Sequence, residues 1–159
     1  MTNAFQLECF DIKHTDEVIS WAESETTCRF WCGTDHVAAS LLSNSIADPD
    51  VRPYALCKMN MPVAYGEIRI DNQEEDLELA RLIVAPTKRG QAIGRHLVSS
   101  LLARARELQN RDVYMRVAPD NEVALRCYEH SAFRRIPDAE QQQFNPIEST
   151  PYIWFRNRI

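Results

Sequence analysis

The sequence predicts an α/β (α+β) domain in which helices pack on a mixed central β-sheet. In the second half of the chain, strand-like and helix-like segments alternate, which is typical of parallel strands joined by helices. Residues 77–84 form a nearly continuous apolar run broken by Glu78 and Arg81, as expected for a strand covered on both faces. The length of 159 residues, with 45% apolar and 26% charged residues, is that of a single globular domain.

The first third of the chain is predicted to contain one strand and two short helices. Alternating apolar residues indicate a strand over 3–11, and a helix is expected from Thr15. A second short helix is expected after Asp35. The segment from Cys28 to Cys32 is rich in aromatic residues and is assigned to a loop or to core packing.

Three consecutive strands are predicted between residues 53 and 84. The segments 54–58 and 63–70 flank a short connection and should pair as a hairpin. The polar segment 71–76 is expected to form an acidic turn before the apolar strand of 77–84.

A long amphipathic helix is the most regular feature of the remaining sequence. Apolar residues recur from Ile93 to Leu108 along one helix face. The sequence then predicts a strand at 113–117, a helix at 121–130, and closing strands at 133–136 and 152–155. The inward face of the second of these helices is expected to carry Val123, Ala124, Cys127 and Tyr128. The predicted order is strand, two helices, three strands, helix, strand, helix and two strands.

The charge distribution points to a small anionic ligand. The chain holds 18 basic and 23 acidic residues, a net charge of −5. Eight basic and two acidic residues fall between Arg81 and Arg116, which leaves 10 basic against 21 acidic residues elsewhere. A domain that binds duplex nucleic acid would present a broad basic face, so we expect no nucleic acid partner.

The sequence also argues against a metal site, a membrane partner and export. The five cysteines are odd in number and scattered, and Cys28-x-x-x-Cys32 has no second Cys or His pair at ligand spacing. No apolar run approaches the ~18 residues of a spanning helix, and the first twenty residues carry acidic side chains where a signal peptide would be basic and apolar. We therefore expect a cytoplasmic protein with reduced thiols.

A glycine-containing turn before the long helix has the features of a phosphate-binding site. Only four glycines occur in the chain, and two of them stand in Arg89-Gly90-Gln91-Ala92-Ile93-Gly94. Glycine lets backbone N–H groups approach a ligand, and the first turn of a helix offers unpaired donors. Lys88, Arg89 and Arg95 add positive charge. A strand-to-helix turn with solubilising charges is the alternative, and the spacing fits neither a Walker loop nor a dinucleotide fingerprint.

Three short motifs, one of which lies in the turn just described, occur in order along the chain. Leu82-Ile83-Val84-Ala85-Pro86 and Arg89-x-x-Ala92-x-Gly94 precede Asn121-x-x-Ala124-x-x-x-Tyr128-x-x-x-Ala132-Phe133. With these motifs, residues 53–136 resemble the GNAT superfamily of acyl-CoA-dependent N-acyltransferases. Ala92 and Ala132 replace glycines that are common in that family. The methyl group of Ala92 is expected to crowd the ligand slightly, and Ala132 is expected to strain a left-handed helix exit.

The resemblance implies a single N-acetyltransferase domain over 1–159 with acetyl-CoA as cosubstrate. The parallel strands 77–84 and 113–118 would splay apart to admit the pantetheine arm. Backbone groups of Leu82, Ile83 and Val84 would pair with that arm, and Asn121 would bond to it. The pyrophosphate would be held by the amides of Arg89, Gly90, Gln91, Ala92, Ile93, Gly94 and Arg95.

A base is needed for this chemistry, because an amine with a pKa of about 10.4 must lose a proton before it attacks a thioester. Glu78 is the favoured candidate, acting through a water, since an apolar strand should raise its pKa. It also lies eleven residues before Arg89, a spacing that resembles that of the glutamate base in the histone-acetylating branch of the family. Glu67 is the second candidate. A structural ion pair with Arg81 or Arg69 is the alternative role for these glutamates.

The resemblance assigns Tyr128 as the proton donor to the departing CoA thiolate. Tyr128 lies two helical turns after Asn121 on the same face. Packing of this tyrosine on Phe133 in the core is the alternative.

The acceptor is expected to be a small-molecule amine or a peptide amine. The acidic segment 71–76 indicates a cationic acceptor, such as a polyamine, an aminoglycoside or a lysine-rich peptide, with a solvated turn as the alternative. Trp21, Phe30 and Trp31 are candidates to line the acceptor side, although core packing is more common for tryptophan. A non-catalytic acyl-CoA-binding sensor or interaction module is the competing function. The sequence leaves the oligomeric state open, a homodimer included.

Overall fold

The computed structural model describes residues 4–147 and 151–159. The strands within these residues are β1 (Gln6–Cys9), β2 (Val51–Lys58), β3 (Met61–Asp71), β4 (Asp76–Val84), β5 (Val113–Val117), β6 (Arg134–Arg135) and β7 (Ile153–Asn157). The helices are α1 (Thr15–Ser20), α2 (Glu25–Cys32), α3 (Leu41–Ala47), α4 (Ile93–Leu108), α5 (Glu122–Glu129) and α6 (Asp138–Gln141). Within the described ranges, no helix is long and apolar enough to cross a membrane.

The strands form one mixed sheet in the order β1-β2-β3-β4-β5-β7-β6. Only the central neighbours β4 and β5 are parallel among the described strands, and α4 makes the connection that parallel strands require. The predicted fold class, a mixed sheet with a parallel pair at its centre, is confirmed. The long helix α4 begins and ends where the apolar spacing predicts.

Each face of the sheet is covered by its own apolar core. On one face α4 and α5 pack on the strands, and Leu97, Leu101 and Phe155 are fully buried there. On the other face α1, α2 and α3 surround Trp31 and Tyr65. The strand β4 lies between both layers, which explains its nearly continuous apolar run.

The predicted hairpin is formed by β2 and β3, and both strands are longer than expected. Met59 and Asn60 connect them with φ values of 51° and 63°, the left-handed conformation of a tight two-residue turn. Pro62, which has no N–H to donate, pairs with Cys57 where the register shifts.

Of the two roles expected for the segment from Cys28 to Cys32, core packing is confirmed and a loop is wrong, because these residues belong to α2 and both Cys28 and Trp31 are buried. Ser24 caps this helix by accepting a hydrogen bond from the Thr27 backbone N–H at 3.1 Å, and Gly33 ends it with a φ of 80°. Both cap signals are present in the sequence, but the weak helix propensity of the residues between them obscures the helix. The helix expected after Asp35 begins only at Leu41.

Smaller differences occur near both ends of the chain. The strand predicted for 3–11 is confined to Gln6–Cys9, and its first residue lies outside the described residues. Val123 is 75% exposed instead of packing in the core, and it lines the cleft beside β4. The predicted strain at Ala132 is wrong, since its backbone does not enter the left-handed region. Ala92 does enter that region, with a φ of 62°.

Candidate active site

The parallel strands β4 and β5 separate after a short contact. They pair only at Leu77 with Val113 and at Glu78 with Tyr114, although β4 continues to Val84. The gap opens into a cleft of about 520 Å³ that is walled by the two strands and by α2 and α5. The predicted splay of the parallel strands is therefore present.

A bulge in β4 turns the end of this strand away from its neighbour. Ala80 pairs with Glu67 and Ile83 pairs with Tyr65, so the register shifts between them. Arg81 lies within the bulge and has a φ of 51°, a conformation that is unusual for a residue with a side chain. The indole Nε1 of Trp31 donates a hydrogen bond of 2.8 Å to the Arg81 carbonyl and fixes the bulge from α2.

The end of β4 offers backbone groups to the cleft. The backbone N–H of Ala85 donates a hydrogen bond to the Val63 carbonyl, on the β3 side. Backbone N–H and C=O groups of successive residues point to opposite sides of a strand. Those of Ile83 therefore also face β3, and those of Leu82 and Val84 face the cleft. Arg89 occupies one of these groups, because its Nε donates to the Val84 carbonyl at 3.2 Å. The remaining groups of Leu82 and Val84 have no strand partner on this side.

A basic turn leads from β4 to α4 at the mouth of the cleft. Gly90 has a φ of 75° with no heavy atom within 4 Å of an added Cβ, which leaves room for a ligand against the backbone. Ala92 precedes the first turn of α4, where the N–H groups of a helix have no intrahelical acceptor. Lys88 and Arg95 are exposed beside these donors, and no acidic residue lies in 85–95. The turn therefore has the charge and the donors of an anion site.

The helices α4 and α5 meet closely at Gly94. An added Cβ on Gly94 would lie 3.3 Å from the Cys127 Sγ and 4.0 Å from the Val84 Cγ2. Asn121 caps α5 by accepting a hydrogen bond of 3.3 Å from the Ala124 backbone N–H, and it lines the cleft. The carbonyl oxygen of its side chain is thus used for capping, while its amide N–H groups remain available to a ligand.

Tyr128 lies on the α5 wall of the cleft. Its ring is 8% exposed and packs edge-on against Phe155 at 5.7 Å. Its hydroxyl forms no hydrogen bond with any residue that the structure describes. Burial raises the pKa of the Tyr128 hydroxyl above its usual range, so the group stays protonated.

Glu78 lies where the cleft meets a second groove. Its Oε1 is 2.9 Å from Arg116 Nε but lacks hydrogen-bond alignment, so this buried oxygen has no hydrogen-bond partner among the described residues. Burial raises the pKa of the Glu78 carboxyl, and the charges of Arg116 and Arg69 oppose that rise. The carboxylate is thus partly compensated by Arg116, and its side chain, which is 18% exposed, can still accept a proton from the groove side.

Glu67 is fully buried and lies behind the wall of the cleft. Its Oε1 accepts hydrogen bonds from Ser45 Oγ at 2.7 Å and from Tyr65 OH at 2.8 Å. The guanidinium of Arg81 lies 3.4 Å from the same oxygen, and that of Arg69 lies 3.4 Å from Oε2. Glu67 therefore has partners on both of its carboxylate oxygens, whereas Glu78 lines the two grooves.

The second groove is acidic on its rim and aromatic on one wall. Its lining includes the carboxylates of Asp48, Asp50, Asp71, Glu74 and Asp76. Tyr114, Phe144 and Trp154 form the aromatic wall, with ring centroids of successive neighbours 5.5 and 5.6 Å apart. Burial, reinforced by the neighbouring carboxylates, raises the pKa of Asp76 to about 6, as expected where negative charges crowd together without a cation.

The aromatic wall and Arg116 are the parts of the site that the sequence interpretation missed. Of the aromatic candidates named from the sequence, Trp21 is a core residue, while Phe30 and Trp31 line the cleft instead of the acidic groove. The period of two along β5 places Arg116 on the same face as Tyr114, the register partner of Glu78, and this signal could have found the arginine.

A sheet that opens at a parallel pair, with a basic turn at the mouth of the opening, defines a protein that receives a long anionic ligand between its strands. The model of the family described as "Acetyltransferase (GNAT) family" matches residues 8–133, and the chain belongs to this family. In the described residues, no group of three or more His, Cys, Asp or Glu side chains could hold a metal ion.

Several solved structures share the fold over nearly the whole chain. The aminoglycoside acetyltransferase AAC(6')-Ib, solved with paromomycin and acetyl-CoA, is 16% identical with a TM-score of 0.78, and the match covers 98% of this chain and 93% of that chain. A spermidine N-acetyltransferase from Vibrio cholerae, solved with CoA and spermine, is 17% identical with a TM-score of 0.73, covering 96% and 92%. A GNAT acetyltransferase from Staphylococcus aureus is 12% identical with a TM-score of 0.69, covering 98% and 99%.

Proposed function

We propose that the protein transfers an acetyl group from acetyl-CoA to a primary amine of an acceptor that carries more than one positive charge. The observation that carries this proposal is the meeting of two unlike grooves at Glu78. One groove has the backbone donors and basic mouth that suit CoA, and the other has the acidic rim and aromatic wall that suit a polycation.

Acetyl-CoA fits the cleft by its chemistry. The basic turn before α4 would hold the pyrophosphate through the amides of residues 89–95. The unpaired backbone groups of Leu82 and Val84 would bind the amides of the pantetheine arm as a neighbouring strand does, with a side-chain N–H of Asn121 on the opposite wall. Bound there, acetyl-CoA supplies the activated acetyl thioester.

The acceptor side is divided electrostatically into a rim and an inner end. The rim carries five carboxylates, which attract and bind ammonium groups. At the inner end, the guanidinium groups of Arg69, Arg81 and Arg116 lie against the carboxylates of Glu67 and Glu78. An amine that reaches this end therefore loses its proton more readily than one at the rim, because nearby cations disfavour the ammonium form.

Glu78 is the base in this proposal. A primary amine with a pKa of about 10.4 is overwhelmingly protonated at neutral pH, so a proton must leave before the nitrogen attacks. The Glu78 carboxylate can accept that proton, directly or through a water, because its side chain is 18% exposed and lines both grooves. Glu67 suits this role less, because all of its hydrogen-bonding partners are already in place and it does not line either groove.

Tyr128 is the acid in this proposal. Its hydroxyl stays protonated and forms no hydrogen bond with the described residues, and Tyr128 lines the cleft. It would give its proton to the leaving sulfur, and the raised pKa means that this donation depends on a positioned hydrogen bond rather than on acidity.

The proposal is tested by comparing acetylation of 1,n-diamines with that of n-alkylamines of matched length. We expect kcat/KM to be about tenfold higher for the diamines, the effect of roughly 1.4 kcal/mol from one additional rim contact. Asp76→Asn should remove most of this advantage. Asp138→Asn, which changes a carboxylate exposed on α6, is the matched control and should leave it unchanged.

The base is tested with two isosteric substitutions in the same assay. Glu78→Gln should lower kcat by about 10²-fold or more, the usual contribution of a general base. Glu67→Gln should act mainly on thermal stability, since it removes a buried charge from its partners. Equal rates for diamines and alkylamines, or a Glu78→Gln variant as fast as the unaltered protein, would contradict the proposal.

A further inference from the structure

We propose that Arg116 is a positioning residue for Glu78: held between two aromatic rings, its guanidinium keeps this carboxylate ionised and fixed at the junction of the two grooves. This inference deepens the proposed function and rests on it, because it assigns a role to a residue next to the proposed base. In the sequence, Arg116 stands out only as the last residue of the basic segment that begins at Arg81.

The geometry around Arg116 is that of a held side chain. Its Nε lies 2.9 Å from Glu78 Oε1 across the β4–β5 boundary. The centre of its guanidinium lies 5.3 Å from the centroid of Tyr152 and 5.3 Å from that of Trp154. A cation between two aromatic faces is stabilised without a second carboxylate, so Glu78 is its only anionic partner among the described residues.

The aromatic rings are themselves held in place. The Trp154 backbone N–H donates to Gln141 Oε1 at 3.0 Å, and the indole Nε1 donates to Asn145 Oδ1 at 3.1 Å. The same amide oxygen of Asn145 accepts a hydrogen bond of 3.0 Å from the Tyr152 backbone N–H. Gln141 and Asn145 thus fix the backbone of Tyr152 and Trp154, whose rings contact the guanidinium of the 40% exposed Arg116 side chain.

The effect on Glu78 follows from the charges that surround it. Burial favours the neutral carboxyl form, and a neutral carboxyl cannot take a proton from the acceptor. Two cations face Glu78, Arg116 from β5 and Arg69 from β3. Two carboxylates oppose their effect, Asp71 from β3 and Asp76 from β4. Arg69 also contacts Glu67, whereas Arg116 contacts no second carboxylate among the described residues, so within this part of the chain Arg116 pairs with Glu78 alone.

The same pairing returns the base to its starting state. When Glu78 has taken the proton of the amine, the guanidinium of Arg116 is left beside a neutral carboxyl group. The proton is then released to water more readily than from an isolated buried carboxyl, because ionisation restores the ion pair.

The test is a carbon-detected NMR titration of the glutamate carboxyl groups, with the Glu78 resonance assigned by its loss in Glu78→Gln. In Arg116→Met we expect the titration midpoint of Glu78 to rise by about 1–2 pH units, the usual effect of removing an opposite charge at this distance. The acidic limb of the kcat profile should move to higher pH by the same amount. Arg116→Lys keeps the charge and should restore most of the original midpoint.

Arg104→Met is the matched control, because Arg104 also pairs with one carboxylate, Glu107 at 3.0 Å, and lies 5.8 Å from one aromatic centroid, but on the outer side of α4. It should leave the midpoint of Glu78 unchanged. An unchanged midpoint in Arg116→Met would overturn the role of Arg116. The titration needs no turnover, so an unaltered protein that fails to acetylate any amine would overturn the proposed function and leave the result on the pair intact.

Discussion

The two grooves that meet at Glu78 differ in the groups that line them, which are mainly backbone groups in one and side chains in the other. The cleft between β4 and β5 presents main-chain N–H and C=O groups, two glycines and the first turn of a helix. The acidic groove presents side chains from α3, β3, the turn after it, β5 and the C-terminal segment. A surface made of backbone depends on the path of the chain, whereas a surface made of side chains can change residue by residue. Under the proposed function, the cleft holds acetyl-CoA and the acidic groove selects the acceptor.

The largest expected effect comes from Tyr128→Phe, which separates chemistry from binding at the end of the cleft. Loss of the hydroxyl should lower kcat by about 10²-fold, the usual contribution of a general acid, with little change in CoA affinity. Steady-state kinetics and calorimetric titration with CoA measure the two quantities. Tyr54→Phe removes a second buried hydroxyl outside the cleft and should change neither.

Gly94→Val should affect the cleft without affecting the acidic groove. The new side chain would occupy the space between Val84 and Cys127, so we expect the CoA dissociation constant to rise by about tenfold or more. Ser99→Val, on the exposed side of α4, introduces the same residue and serves as the control. Unimpaired CoA binding by Gly94→Val would mean that this part of the cleft does not hold the coenzyme.

The smallest expected effect tests the backbone nature of the basic turn. Ala92 has a φ of 62°, which costs a residue with a side chain roughly 1–2 kcal/mol, part of which glycine would recover. Ala92→Gly should therefore raise the free energy of unfolding by about 0.5–1 kcal/mol in a denaturant titration. Ala103→Gly, at an exposed position inside α4, should lower it by about 1 kcal/mol. If both substitutions destabilise the protein, Ala92 is not strained.

The contrast between the grooves also explains what the sequence could predict. The apolar run of β4 and the spacing of α4 are local patterns, and they predicted the sheet and its parallel strands. The cleft was implied by the resemblance to the GNAT superfamily, whose motifs include the turn with Gly90 and Gly94. The aromatic wall depends on Trp154 lying next to β5, a long-range pairing that no local pattern in the sequence indicates. The bulge at Arg81 was also missed, because it arises from a register shift against β3 and not from a glycine in β4.

The short contact between β4 and β5 places the ion pair at a seam of the sheet. Among the described strands, two residue pairs join the half of the sheet that contains β1–β4 to the half that contains β5–β7. Glu78 belongs to one of these pairs, and Arg116 lies two residues beyond its partner Tyr114 on the facing strand. The proposed base and its arginine therefore come from opposite halves of the sheet, and any change in the separation of the halves would change the distance between these two side chains.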